Sequence, residues 1–129
     1  MESKQIVLCD TNILIEFYKN NTSIINDLKT IGIENIAINT IVLAELIYGA
    51  HNKKELKEIL KNASQLSIFS VNDAISQLTI QLMVKFSLSH TLALPDVFIA
   101  ATALYHKCPL FTLNKKDFKF IDDLVLYSN

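Results

Sequence analysis

Short apolar, β-branched runs alternate along this chain with longer stretches whose apolar positions recur every three or four residues. KQIVLC at 4–9 reads as a strand, and NILIEFYK at 12–19 then takes a helical pattern. The polar NNTS at 20–23 reads as a loop, with Ser23 placed to cap a helix through IINDLKTI that stops at Gly32. IAIN at 36–39 is a second strand, and Thr40 is placed to cap IVLAELIYGA. In NKKELKEILKNA, Leu56, Ile59, Leu60 and Ala63 share one face and lysines fill the others, an amphipathic helix. SIFSV at 67–71 is a third strand. Asn72 or Asp73 is placed to cap the helix that carries Ile75, Leu78, Leu82 and Phe86. LPDVFIAATALYHK follows as a helix with Pro95 near its start, PLFTL is a fourth strand, and LVLY at 124–127 is a candidate fifth.

Strands that alternate with helices throughout predict a single α/β domain over residues 1–129, with a mainly parallel central sheet of four to five strands flanked by helices. In such sheets, sites form at the carboxyl ends of the strands. The length suffices to bury a real core. Only two glycines and two prolines are present, which favours regular elements over elaborate loops. No apolar stretch is long enough to span a bilayer, and the first apolar run comes too early and is too brief for a secretion signal, so the expected location is the cytoplasm. Cys9 and Cys108 lie in or beside strand-like runs with no metal-ligand spacing and read as reduced core thiols. All twelve basic residues are lysines, so any phosphate contact must use lysine, backbone N–H or a metal ion. The net charge of −1 speaks mildly against a strong electrostatic nucleic-acid binder.

Three carboxylates sit awkwardly in this pattern. Asp10 falls just after the first strand, inside VLCDTNILIEF, with no base beside it; a cap for the following turn is the plain alternative. Glu45 lies among Ile41, Val42, Tyr48 and Gly49 on its helix, none of which can pair with it, unless that edge simply meets water. Asp96 opens VFIAATALYH, where the helix dipole alone would favour an acid. If the three converge to within ~5 Å, each pair costs roughly 3 kcal/mol at an effective dielectric of ~20. Such a cluster takes up protons or a cation. Hard oxygen donors without histidine or cysteine favour Mg²⁺ or Mn²⁺, whereas His51, His90 and His106 are too scattered for zinc. Asn114 and Asp117, in TLNKKDF after the fourth strand, are further candidates, or an ordinary polar turn.

DTNILIE at 10–16, AELIYGA at 44–50, LPDVFIAATAL at 94–104 and LFTLNKKDF at 110–118, in that order, resemble the PIN-domain family and within it the VapC-type toxins of bacterial toxin–antitoxin pairs. The resemblance implies a Mg²⁺- or Mn²⁺-dependent endoribonuclease that hydrolyses RNA phosphodiester bonds. It implies that Asp10, Glu45 and Asp96 are the metal-binding acids, and that Thr11 and Asn12, with Thr112 and Asn114, shape the site. Many family members carry an acid in this last region; here position 114 is asparagine and Asp117 stands three residues on, so either could complete the catalytic set. Lys115, Lys116 and Lys119 are candidates for the RNA backbone, or solvated surface. The resemblance also implies a homodimer and a cognate antitoxin covering a groove. NILIEFY, with more apolar residues than one face can bury, is a candidate contact for such a partner, or completes a small core.

Two other classes compete. A receiver-like signalling switch also uses strand-end acids, Mg²⁺ and a late lysine, a part open to Lys115. It needs paired acids after the first strand and a phosphoacceptor after the middle one, where Asp73 more simply caps a helix. A catalytically inactive PIN-fold binding module is the third reading.

Overall fold

The computed structural model describes residues 5–128. Its elements run β1 (Val7–Cys9), α1 (Thr11–Tyr18), α2 (Thr22–Ile31), β2 (Ile36–Asn39), α3 (Thr40–Tyr48), α4 (Lys53–Ala63), β3 (Ser67–Phe69), α5 (Asp73–Phe86), α6 (Leu94–His106) and β4 (Leu110–Phe111). Short 3-10 turns cover Ile33–Asn35 and Lys115–Asp117. The sheet order is β3-β2-β1-β4, and every pairing is parallel. The α/β class and parallel sheet expected from the alternation are therefore present.

Every residue of β1 and β2 is buried, as strands covered on both faces must be. Helix α6 is buried over Val97 and Ile99–Ala103, where Ala100, Ala101 and Ala103 let neighbouring elements approach closely. It packs most extensively on α5. Strand β3 is one edge of the sheet and β4 the other, and Ser67 and Ile68 lie exposed on β3. Cys9 and Cys108 are free thiols buried in the core, as expected.

The helix starts differ from the sequence reading in a consistent way. The residue that caps α2 is Asn21, not Ser23: its Oδ1 accepts from Ile24 N at 3.3 Å, and Thr22 and Ser23 already belong to the helix. Asn39, not Thr40, caps α3 and accepts from Val42 N at 2.9 Å. Asn52 does the same for α4, and at α5 the cap is Asn72, one of the two expected candidates. Asparagine serves here because its short side chain reaches the N3 amide while the residue itself stays extended. Helix α2 ends on Gly32 at φ +90°, a conformation that favours glycine.

The candidate fifth strand is reduced to one parallel bridge between Leu126 and Leu110. Leu110 N donates to Val125 O at 2.9 Å and Tyr127 N donates to Leu110 O at 2.8 Å. Strand β4 has only two residues, too short to carry a longer partner on its outer edge. Lys4, the first residue of the KQIVLC run, lies outside the described residues.

Candidate active site

Asp10 is the first residue past β1, at the carboxyl edge of the sheet, and is 5% exposed. It caps α1 and belongs to the acid cluster at once. Its Oδ1 accepts from Thr11 N at 2.7 Å. Its Oδ2 accepts from Thr112 Oγ1 at 2.8 Å and, more weakly, from Asn12 Nδ2 at 3.4 Å. Burial raises its proton affinity above that of an ordinary aspartate. The bonds from Thr112 and Thr11 N oppose that rise, and the charges of Glu45 and Asp117 add to it.

Glu45, on the exposed side of α3, does find a partner, although none stands on its own helix: Thr11 Oγ1 donates to its Oε1 at 2.7 Å. Asn39 fixes this helix. It is wholly buried, caps α3 and donates through Nδ2 to Thr102 Oγ1 on α6 at 3.0 Å. Asp96 lies in the first turn of α6, which has no side-chain cap. Among the described residues no group donates a hydrogen bond to its carboxylate. Desolvation, then Asp10, Asp117 and Glu45, push its pKa up to about 6.

The fourth strand delivers the rest. Thr112 is buried, and Asn12 Oδ1 accepts from Leu113 N at 3.2 Å, which clasps α1 to the end of β4. Asn114 contributes its backbone N–H to Thr112 Oγ1 at 3.1 Å. Asp117, exposed in the turn that follows, is the acid from this segment whose charge acts on both Asp10 and Asp96. Lys115, Lys116 and Lys119 are exposed around it. Among the described residues none of the four acids takes part in an ion pair.

The expected convergence is met only in part. The charges of Glu45 and Asp117 act on both Asp10 and Asp96 and raise their proton affinity, but among the described residues no three His, Cys, Asp or Glu side chains form a closed metal-ligand group. The fit to a cation thus rests on the donor set. Four carboxylates with threonine and asparagine oxygens, no imidazole or thiolate, and an Asp96 with no hydrogen-bond donor suit a hard divalent ion. Sequence reasoning missed the cavity beside Asp96 and Asp117, walled by Phe86, Phe118 and Phe120. A signal was available in KKDFKF at 115–120, where aromatic and basic residues interleave.

Acids gathered from the ends of parallel strands and the helices beside them define a charged crevice in an α/β domain. The PIN domain family profile matches residues 7–124, and the chain belongs to this family. Ribonuclease VapC2 of Rickettsia felis is 32% identical over 131 residues, which cover 94% of this chain and 96% of that protein. The crystal structure of VapBC2 from Rickettsia felis bound to a DNA fragment from their promoter is similar at TM-score 0.84 and 30% identity, over 95% of this chain and 98% of that one. A toxin–antitoxin complex from Klebsiella pneumoniae is similar at TM-score 0.80 and 29% identity, over 95% and 99% of the two chains. Family membership sets the receiver reading aside, and Asp73 accordingly lies exposed in the first turn of α5, after the edge strand.

Proposed function

We propose that this chain is a metal-dependent endoribonuclease, the toxin of a VapBC-type pair, and that the whole of residues 1–129 serves as its nuclease domain. The observation that carries the reading is the group of four acids, Asp10, Glu45, Asp96 and Asp117, none of which takes part in an ion pair among the described residues. Asp10, Glu45 and Asp96 hold the ion, and Asp117 rather than Asn114 completes the catalytic set. A bound Mg²⁺ or Mn²⁺ supplies a water of lowered pKa and neutralises charge at the phosphate.

The protein's own part is positioning. Thr112 and the Thr11 amide each fix one oxygen of Asp10, so the carboxylate cannot rotate away. The Thr11 hydroxyl ties α3 to α1 through Glu45. Among the described residues Asp96 has no hydrogen-bond donor, so it gains most from a cation. Lys115, Lys116 and Lys119 contact the RNA backbone as point charges.

An antitoxin is the expected regulator, supported by the VapBC complexes among the similar structures. An apolar groove of about 420 Å³ between α1, α2, α3 and α4, lined by Leu14, Phe17, Tyr18, Ile25 and Leu28 among others, is the surface for it. NILIEFY thus serves both core and groove: Ile13 and Leu14 are buried, while Phe17 and Tyr18 are partly exposed. The protein acts as a homodimer in the cytoplasm; among the described residues no helix is long and apolar enough to cross a membrane.

The test is cleavage of a mixed small-RNA pool by partner-free protein in Mg²⁺, Mn²⁺ or EDTA, beside Asp10→Asn. The expected result is metal-dependent cutting that falls by ~100-fold or more in the variant. Cutting that survives EDTA, or that Asp10→Asn leaves intact, overturns the reading. Metal-linked stabilisation with no cutting would favour an inactive binding module.

A further inference from the structure

A cavity of about 200 Å³ opens directly beside the acids, with Asp96 and Asp117 on its wall. The rest of its lining is apolar or aromatic, including Phe86, Phe118, Phe120, Leu82, Leu92 and Val97, apart from the Thr91 hydroxyl. Among the described residues no lysine or histidine lines it, so it offers a phosphate no cation to set against the two carboxylates. Its size suits one flat heterocycle. Its rings are held in place: Phe86 and Phe120 meet edge to face at 4.9 Å. His90 lies flat on Phe120 at 4.1 Å, with its Nδ1 within 2.8 Å of Ser89 Oγ. The segment that supplies two of the rings, KKDFKF, alternates them with cations that can track a backbone.

We propose that this cavity is a nucleobase pocket, which takes one unpaired base of the RNA and so sets the register of the strand across the acids. The proposal rests on the ribonuclease reading and deepens it. A base is uncharged and planar, so it can enter an apolar slot whose wall carries two carboxylates, while the phosphate next to it stays at the acids. Because the carboxylate end of the slot only accepts hydrogen bonds, base edges that donate are favoured there. An RNA strand still paired in a helix cannot deliver a base to the slot, so unpaired segments are the substrate.

The test is binding rather than cutting, so that it does not depend on catalysis. Short single-stranded RNAs carrying 2-aminopurine or an abasic nucleotide at one central position are titrated in Ca²⁺, under conditions where no cut product forms. The expected result is quenching of 2-aminopurine, and roughly 5- to 100-fold weaker binding of the abasic strand by the natural protein. Phe120→Leu, which keeps apolar bulk and loses the ring, should shrink that discrimination to near unity. Ala93→Leu, on the exposed rim, fills the mouth without removing anything from the core and should do the same should Phe120→Leu fold poorly. Equal affinity for base-bearing and abasic strands overturns the proposal, as does discrimination retained in either folded variant. Base discrimination by a protein that cuts nothing in any metal would leave the pocket standing and remove the nuclease reading instead.

Discussion

Asp96 offers a stability test that does not depend on knowing the RNA. Its pKa stands at about 6 in the folded protein against an ordinary 3.8. The native state therefore holds this proton more tightly than the unfolded chain does. Stability falls as pH rises from near 3.8 to about 6, and stays lowered above that. A carboxyl displaced this far represents ~3 kcal/mol of disfavoured ionisation. Asp96 is partly exposed, so screening reduces the usable figure to ~1–2 kcal/mol. Asp96→Asn, which removes the charge and keeps the shape, should raise the melting temperature by roughly 3–8 °C at pH 8 in EDTA. At pH 3, below both values, the two proteins should melt together. Mn²⁺ should then reverse the order, because ligand that binds only the native state stabilises the natural protein by RT ln(1 + [L]/Kd) and the variant far less. Calorimetry across this pH range, with and without metal, reads all three effects. A difference that does not change with pH would refute the reasoning, and so would an asparagine variant less stable at pH 8 without metal. Either would mean that the carboxylate already has a stabilising partner.

Thr112→Val keeps the volume but takes the main donor from Asp10, so it should cost ~1–3 kcal/mol in denaturant unfolding. It should also move the acidic limb of the pH–rate profile upward, since Thr112 is the chief influence that opposes the raised proton affinity of Asp10, while Thr112→Ser should restore both. Asn39→Ala removes the α3 cap and the bond to Thr102, and a loss of ~2 kcal/mol is expected from urea titration. Lys116→Ala and Lys119→Ala should each make the logarithmic salt dependence of RNA binding shallower by ~0.7 if each meets one phosphate, and an unchanged slope would place them outside the interface.

The fold was readable because its patterns are clean: a fully apolar run for β1, an apolar run closed by Asn39 for β2, and a three-to-four repeat for α4 and α5. Helix starts shift by one or two residues from the sequence expectation because Ser23 and Thr40 are also good caps on paper. Asn39 wins over Thr40 since, once buried, it must bond both its oxygen and its amide, and the α3 terminus and Thr102 let it do so. No local pattern could reveal that choice, because Thr102 lies on another helix. The same holds for Glu45. It lacks a partner on its own helix, and its hydrogen bond comes from Thr11, 34 positions earlier.

The location of the acid cluster follows from strand order, which hydrophobic periodicity does not encode. From β1 the chain moves to β2 and β3 on one side, then crosses to place β4 on the other. The carboxyl ends of β1 and β4 therefore face a crevice at the point where the winding reverses, where α/β sheets commonly bind ligands. Asp10 ends β1, Thr112 ends β4, and the hydrogen bond between them spans 102 positions of sequence at 2.8 Å. Asp96 precedes β4 on α6, and Asp117 follows it. Both therefore lie on the β4 side of the crevice, where the aromatic cavity opens. Glu45 comes from α3, after β2, on the opposite side. The acids thus flank the crevice from both sides with Asp10 between them. One buried aspartate at a switch point, which looked out of place inside an apolar run, is the position from which the other three can be reached.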